Sequence, residues 1–141
     1  MIREFKETDV EEIIETWFLS SSLAHPFLED SFMEKEKQNI REIYLPNTKT
    51  WVFEESEKVV GFISMMGNEV GAIFVRPEFH GRGIGKNLMD LVAGLYGELE
   101  VEVFAENLIG RAFYDRYGFK VYKEHLHELT GHKLLRMKFN S

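Results

Sequence analysis

Three glycines fall within five positions at Gly81, Gly83 and Gly85, directly in front of an apolar stripe at helical spacing. Upstream, Val70 to Val75 is apolar and β-branched, which predicts a buried central strand. Downstream, Ile84, Leu88, Leu91, Val92 and Leu95 recur at steps of three and four, the mark of one helix face. The segment His80-Gly-Arg-Gly-Ile-Gly-Lys86 is therefore a strand-to-helix loop. Glycines let its backbone turn sharply and come close to a ligand. The unpaired N–H groups that open a helix carry the positive end of its dipole and suit phosphate. Arg82 and Lys86 add side-chain charge, and no acidic residue occurs between Glu78 and Asp90 in a chain of net charge −7. A ligand-free structural turn would not require that local reversal of charge.

Two familiar phosphate loops fail on spacing. A P-loop needs Gly at 80 and Ser or Thr at 87, where this chain has His80 and Asn87. A dinucleotide fingerprint needs Gly at 86, where Lys86 stands.

The flanking sequence predicts a mixed architecture. Residues 2–5 suit a short strand, and Thr8 with Glu11 reads as a capping box opening a helix through Val10, Ile13, Ile14, Trp17 and Phe18. His25-Pro26 should interrupt it, and a second helical stretch is expected over 28–44, ending before Pro46. Trp51–Phe53, Val59–Met66 and Val70–Val75, separated by turn residues, predict an antiparallel meander. Leu99, Val101 and Val103 alternate with Glu100 and Glu102 as a strand; 107–117 reads as a helix burying Ile109, Ala112 and Phe113. Residues 119–126 and 133–139 then form two strands around Thr130-Gly131. Helices and strands alternate only in the middle, which excludes a doubly wound parallel sheet. With 141 residues and no composition break, a single domain over 1–141 is expected.

Composition narrows the function classes. With no cysteine, disulfides, thiol nucleophiles and thiolate metal sites are excluded. No stretch approaches the roughly 20 apolar residues of a membrane span, and Met1–Glu4 lacks a signal-peptide apolar region, so a soluble cytoplasmic protein with no membrane partner is expected. The acidic balance disfavours nucleic acid and tilts towards cationic partners such as lysine side chains or polyamines.

Arg82-Gly83-Ile84-Gly85 resembles the coenzyme A pyrophosphate loop of the GNAT acetyltransferases, Gln/Arg-x-x-Gly-x-Gly/Ala, with His80 in place of the usual first residue. Asn107-Leu-Ile-Gly-Arg-Ala-Phe-Tyr114-Asp-Arg-Tyr-Gly118-Phe119 resembles the second signature of that family, with Gly110 where Ala is usual. The two occur in the family's order and at its separation, and the overall pattern is similar to small bacterial members thought to acetylate protein lysines. The resemblance implies an α/β (α+β) GNAT fold: a mixed, mostly antiparallel sheet with splayed central strands and about four helices. It implies acetyl-CoA as co-substrate, no metal, and transfer to a primary amine in a ternary complex: a protein lysine, an N-terminus or a small molecule. Monomer and homodimer both remain open. A GNAT-fold module that binds acyl-CoA without turnover is the competing reading.

The resemblance further implies that coenzyme A is held by His80, Arg82, Gly83, Ile84, Gly85, Lys86 and Asn107, with pantetheine amides pairing to the backbone of Phe74 and Val75. Tyr114 matches the family's general acid for the leaving thiolate. Glu102, five residues before Asn107, matches a glutamate base; Glu69 is the alternative, and a water relay a third. Trp17, His25, Phe27 and Trp51 are candidates for the acceptor wall. His125, His127 and His132 resemble a metal cluster but lack a fourth ligand, so no metal is expected. Met65-Met66 reads as core filling.

Overall fold

Alternation of apolar and polar residues builds a seven-stranded sheet in the computed structural model, which describes residues 1–140. Its strands are β1 (Ile2–Glu4), β2 (Lys49–Glu55), β3 (Lys58–Met66), β4 (Glu69–Val75), β5 (Glu98–Phe104), β6 (Lys120–Leu126) and β7 (Lys133–Asn140). Their spatial order is β1-β2-β3-β4-β5-β7-β6, and every neighbouring pair is antiparallel except β4–β5. The helices are α1 (Val10–Ala24), α2 (Asp30–Asn39), α3 (Ile84–Tyr96) and α4 (Leu108–Tyr117).

Successive strand residues serve opposite faces. Trp51, Ile63, Met65, Leu99 and Val101 pack with Leu88, Met89 and Val92 of α3. Val52 and Phe62 pack with Ile13, Trp17 and Met33 of α1 and α2. Arg76, immediately after β4 and 1% exposed, ties α1 to this second face. Its Nε donates to Thr16 Oγ1 (3.0 Å) and Val59 O (3.1 Å), and Nη1 to Glu15 (2.9 Å).

Several local expectations are corrected. The first helix is entered through a 3-10 turn, Glu7–Asp9, in which the Asp9 carboxylate accepts from Lys6 N–H (2.8 Å); Thr8 is exposed and caps nothing. The helix runs on through the serines because they find partners: Ser20 Oγ donates to Val75 O, and Ser21 Oγ meets His25 Nδ1 (2.8 Å). The expected 28–44 helix is α-helical only to Asn39; a π-turn (Ile40–Tyr44) and a 3-10 turn (Leu45–Asn47) that absorbs Pro46 follow. In α3, Leu95 is exposed, while Met89 and Ala93 take inward positions. In α4, Ile109 and Ala112 are exposed and Tyr114 is the buried residue.

The largest departure concerns β4. It was expected to be buried along its length, yet only Val70 is. β5 pairs with it at Glu69↔Glu100 and Val70↔Val101 and no further. The β3–β4 register shifts between Ser64 and Met65, leaving Gly71 as an extra residue at that point. Such a bulge bends its strand, and here it coincides with the place where β4 leaves β5.

Candidate active site

The parted strands open a cleft of about 1100 Å³, lined by β4 beyond Val70, the end of β5, the 80–86 loop, α4 and the C-terminal half of α1. Its loop end has the features of an anion cradle. Gly81 and Gly83 take φ of +79° and +80°, a left-handed conformation that disfavours any side chain. The first backbone bond of α3 runs from Asn87 N–H to Gly83 O (2.9 Å), so the N–H groups of Ile84, Gly85 and Lys86 precede it without helical partners. A Cβ on Gly85 would lie 3.2 Å from the Phe113 ring, so this glycine lets α3 and α4 close together behind the loop. The residues present fit a pyrophosphate held by backbone amides.

The loop's side chains do less than expected. Arg82 is absent from the cleft wall; its guanidinium lies over Phe79 (4.8 Å) and near Glu55 (3.8 Å). Lys86 lines the cleft but pairs with Asp90 (2.8 Å). His80 Nε2 donates to Val75 O (2.8 Å), fastening the loop to the end of β4.

Backbone alternation also corrects the pairing expected for β4. Arg76 N–H donates to Val60 O (2.8 Å), and Gly61 faces Val75 in the register. Hydrogen-bonded and open positions alternate along an antiparallel strand, so Phe74 turns its polar backbone towards Phe62 of β3. Ile73 and Val75 turn theirs towards the cleft. The Val75 carbonyl already accepts from Ser20 and His80, which leaves the Val75 N–H, as expected, and the backbone of Ile73, one the sequence reading missed, open to the cleft.

Tyr114 lines the cleft from α4, with edge contacts to Phe113 (5.6 Å) and Phe119 (5.4 Å) between ring centroids. Its hydroxyl makes no hydrogen bond among the described residues. Burial drives the phenol's pKa upward, which keeps it protonated and able to donate.

Glu102 and Glu69 both line the cleft, but neither carboxylate is free. Arg136 of β7 reaches Glu69 (2.9 Å), Glu100 (3.3 Å) and Glu102 (3.3 Å) just below the fork. His125 Nε2 lies 2.7 Å from Glu102, and Tyr122 with Arg136 holds the Glu100 carboxyl below its ordinary value.

The expected acceptor wall is only partly present. Trp17 and His25 line the cleft. Trp51 does not: it is 8% exposed in the core beneath α3, on the other face of the sheet. Phe27 also stands behind the surface, packed on His25, Phe104 and His132. Asn107 serves inside the protein as the cap of α4, its Oδ1 accepting from Gly110 N–H (2.8 Å) while Nδ2 donates to His25 Nε2 (3.1 Å). A Cβ at Gly110 would come within 2.5 Å of Asn107 Nδ2, so the glycine standing where the signature has Ala makes room for this contact. Asn107 keeps Nε2 as the acceptor, and burial lowers the His25 pKa to about 4.

No group of three or more metal-binding side chains occurs among the described residues, and no helix there is long and apolar enough to cross a membrane.

Residues 11–141 match the family described as acetyltransferase (GNAT) domain. The chain is 37% identical over 122 residues to the peptidyl-lysine N-acetyltransferase YiaC of Escherichia coli, covering 86% of this chain and 84% of that protein. It is 30% identical over 121 residues to the peptidyl-lysine N-acetyltransferase YjaB of the same organism, covering 85% and 82%. The solution structure of apo YjaB superposes with a TM-score of 0.89 over 99% of this chain and 96% of that one, at 27% identity. The PaiA N-acetyltransferase of Thermoplasma acidophilum, solved with coenzyme A, shares the fold at a TM-score of 0.80 and 19% identity, covering 100% and 98%. With the family match spanning residues 11–141 and two relatives of 30% identity or more covered over most of their length, the chain belongs to the GNAT acetyltransferase family.

Proposed function

We propose that this acetyl-CoA-dependent N-acetyltransferase modifies the ε-amine of lysine in proteins. The cleft at the β4–β5 fork carries the reading, because it joins an anion cradle at one end to a wall of aromatic rings and carboxylates at the other. Carboxylates and aromatic faces both attract an alkylammonium group, and the net charge of −7 favours its approach. Two relatives of 37% and 30% identity are named for action on peptidyl lysine. A non-catalytic module is not favoured by enzymes of this likeness.

In the proposed reaction the 81–86 backbone holds the pyrophosphate and Ile73 the pantetheine. The amine nitrogen attacks the thioester carbonyl, and Tyr114 protonates the departing thiolate. Coenzyme A release is to be measured with three amines: a lysine peptide with a blocked N-terminus, a lysine-free peptide with a free N-terminus, and spermidine. The lysine peptide should give the highest kcat/KM, by about tenfold or more. A preference for either of the others would overturn the lysine assignment while leaving the acetyltransferase intact.

A further inference from the structure

We propose that His127 takes the proton from the incoming ammonium. A primary amine is protonated at neutral pH and cannot attack until that proton leaves. Among the titratable groups that line the cleft, most are already engaged. Arg136 holds Glu69 and Glu102. Lys86 and Tyr117 hold Asp90, and Tyr44 and Asn39 hold Glu36. Both ring nitrogens of His25 are used, by Ser21 and Asn107, and His80 belongs to the phosphate loop.

His127 differs from all of these. It lies in the turn between β6 and β7, half-buried, and its ring lines the cleft. Nδ1 meets Thr130 Oγ1 at 2.9 Å, and that oxygen also accepts from His132 N–H at 3.3 Å. Nε2 has no hydrogen-bond partner among the described residues. With Nδ1–H donating to Thr130, Nε2 keeps its lone pair. The rings packed on His127 are Phe32 of α2 (5.9 Å) and Phe104 of β5 (5.4 Å), neither of which titrates. Beyond them, His132, whose Nδ1 lies 2.8 Å from Glu106, and His25 both pack on Phe104, and Glu36 follows Phe32 by one turn of α2. Glu128 adjoins His127 in the turn and is exposed. Phe104 and Phe32 offer faces and edges against which an alkylammonium stem packs, and an imidazole is the side chain matched to proton transfer near neutral pH.

The protons balance. His127 Nε2 accepts one from R–NH3+, and the neutral amine adds to the thioester carbon. As the C–S bond breaks, the thiolate takes the Tyr114 proton, and the phenolate recovers one from the amide nitrogen. His127 returns its proton to water, so the net products are the amide, the free thiol of coenzyme A and one proton.

Proton transfer to His127 applies to any primary amine and does not require a protein acceptor. Its test is the pH profile of kcat/KM for wild type, His127→Gln and Glu102→Gln, with n-butylamine beside the lysine peptide so that a failure of the lysine reading shows separately. For His127→Gln at neutral pH, kcat/KM should fall about 100-fold with acetyl-CoA affinity kept. Its activity should then climb tenfold per pH unit towards the amine's own pKa of about 10, where solution supplies the free base. Glu102→Gln removes one of the carboxylates that attract the ammonium group, so it should lower kcat/KM by only a few-fold and evenly across the pH range, leaving the shape of the wild-type profile unchanged. A His127→Gln enzyme within about threefold of wild type and with an unchanged profile, or a Glu102→Gln enzyme showing the loss instead, would overturn the assignment.

Discussion

Replacing Tyr114 by Phe is expected to lower kcat by about 100- to 1000-fold while the acetyl-CoA dissociation constant changes by less than about twofold. The substitution removes one oxygen from a side chain that is 8% exposed and packed on Phe113 and Phe119. Phenylalanine fills the same space, and no hydrogen bond among the described residues is lost. The effect should therefore lie in chemistry rather than in folding or coenzyme binding. Burial raises the phenol's pKa, and a thiolate generated in the same cleft is desolvated too, so proton transfer between them stays close to balanced. Stopped reactions analysed for coenzyme A, with calorimetry for affinity, provide the check. A parallel loss of kcat and affinity would show that Tyr114 holds the co-substrate rather than protonating it.

The second large effect is on stability. His25 is 9% exposed among Phe27, Phe74 and Phe104, and its pKa falls to about 4 from an ordinary 6.5. The unfolded chain binds a proton at this residue below pH 6.5, whereas the folded chain resists it until about pH 4. The contribution of His25 is thus fully present above pH 6.5 and is lost as the pH falls from 6.5 to 4, by about 3 kcal/mol in all. Protonation would also turn Nε2 from an acceptor into a donor facing Asn107 Nδ2, breaking the tie between α1 and the cap of α4. Carboxylates contribute their own acid sensitivity, so the comparison is with His25→Gln, which does not titrate here. Urea unfolding of both proteins at neutral and acidic pH should show the wild type losing about 3 kcal/mol more than the variant. An equal loss in both would mean that His25 titrates normally in the folded protein.

The loop and the second signature were legible because their chemistry depends on residue types. Left-handed φ at Gly81 and Gly83 and a helix start at Ile84 follow from where glycines sit in front of an apolar stripe. The meander was legible from alternation and from the turns at 55–58 and 67–68. What stayed hidden depended on register and on partners distant in sequence. The Gly71 bulge turns the expected buried strand into a cleft wall; its one local sign is an isolated glycine inside the strand run, which does not give the register. Glu102 reads as a free strand glutamate until Arg136, 34 residues later, is found across the ladder. Trp17 and Trp51 look equivalent in sequence; the parity of strand and helix positions sends one to each face of the sheet. His127 offered no signal beyond its type, because its role rests on Thr130 orienting the ring and on Phe104 and Phe32 framing it.

The central claim is that the parted strands and the 81–86 loop together bind acetyl-CoA. Calorimetric titration with acetyl-CoA, with ATP and inorganic phosphate as controls, tests it most directly. One site per chain is expected, with acetyl-CoA bound at micromolar strength and at least about 100-fold more tightly than ATP. Absence of acetyl-CoA binding, or equal binding of ATP, would contradict it and leave the glycine loop as a structural turn.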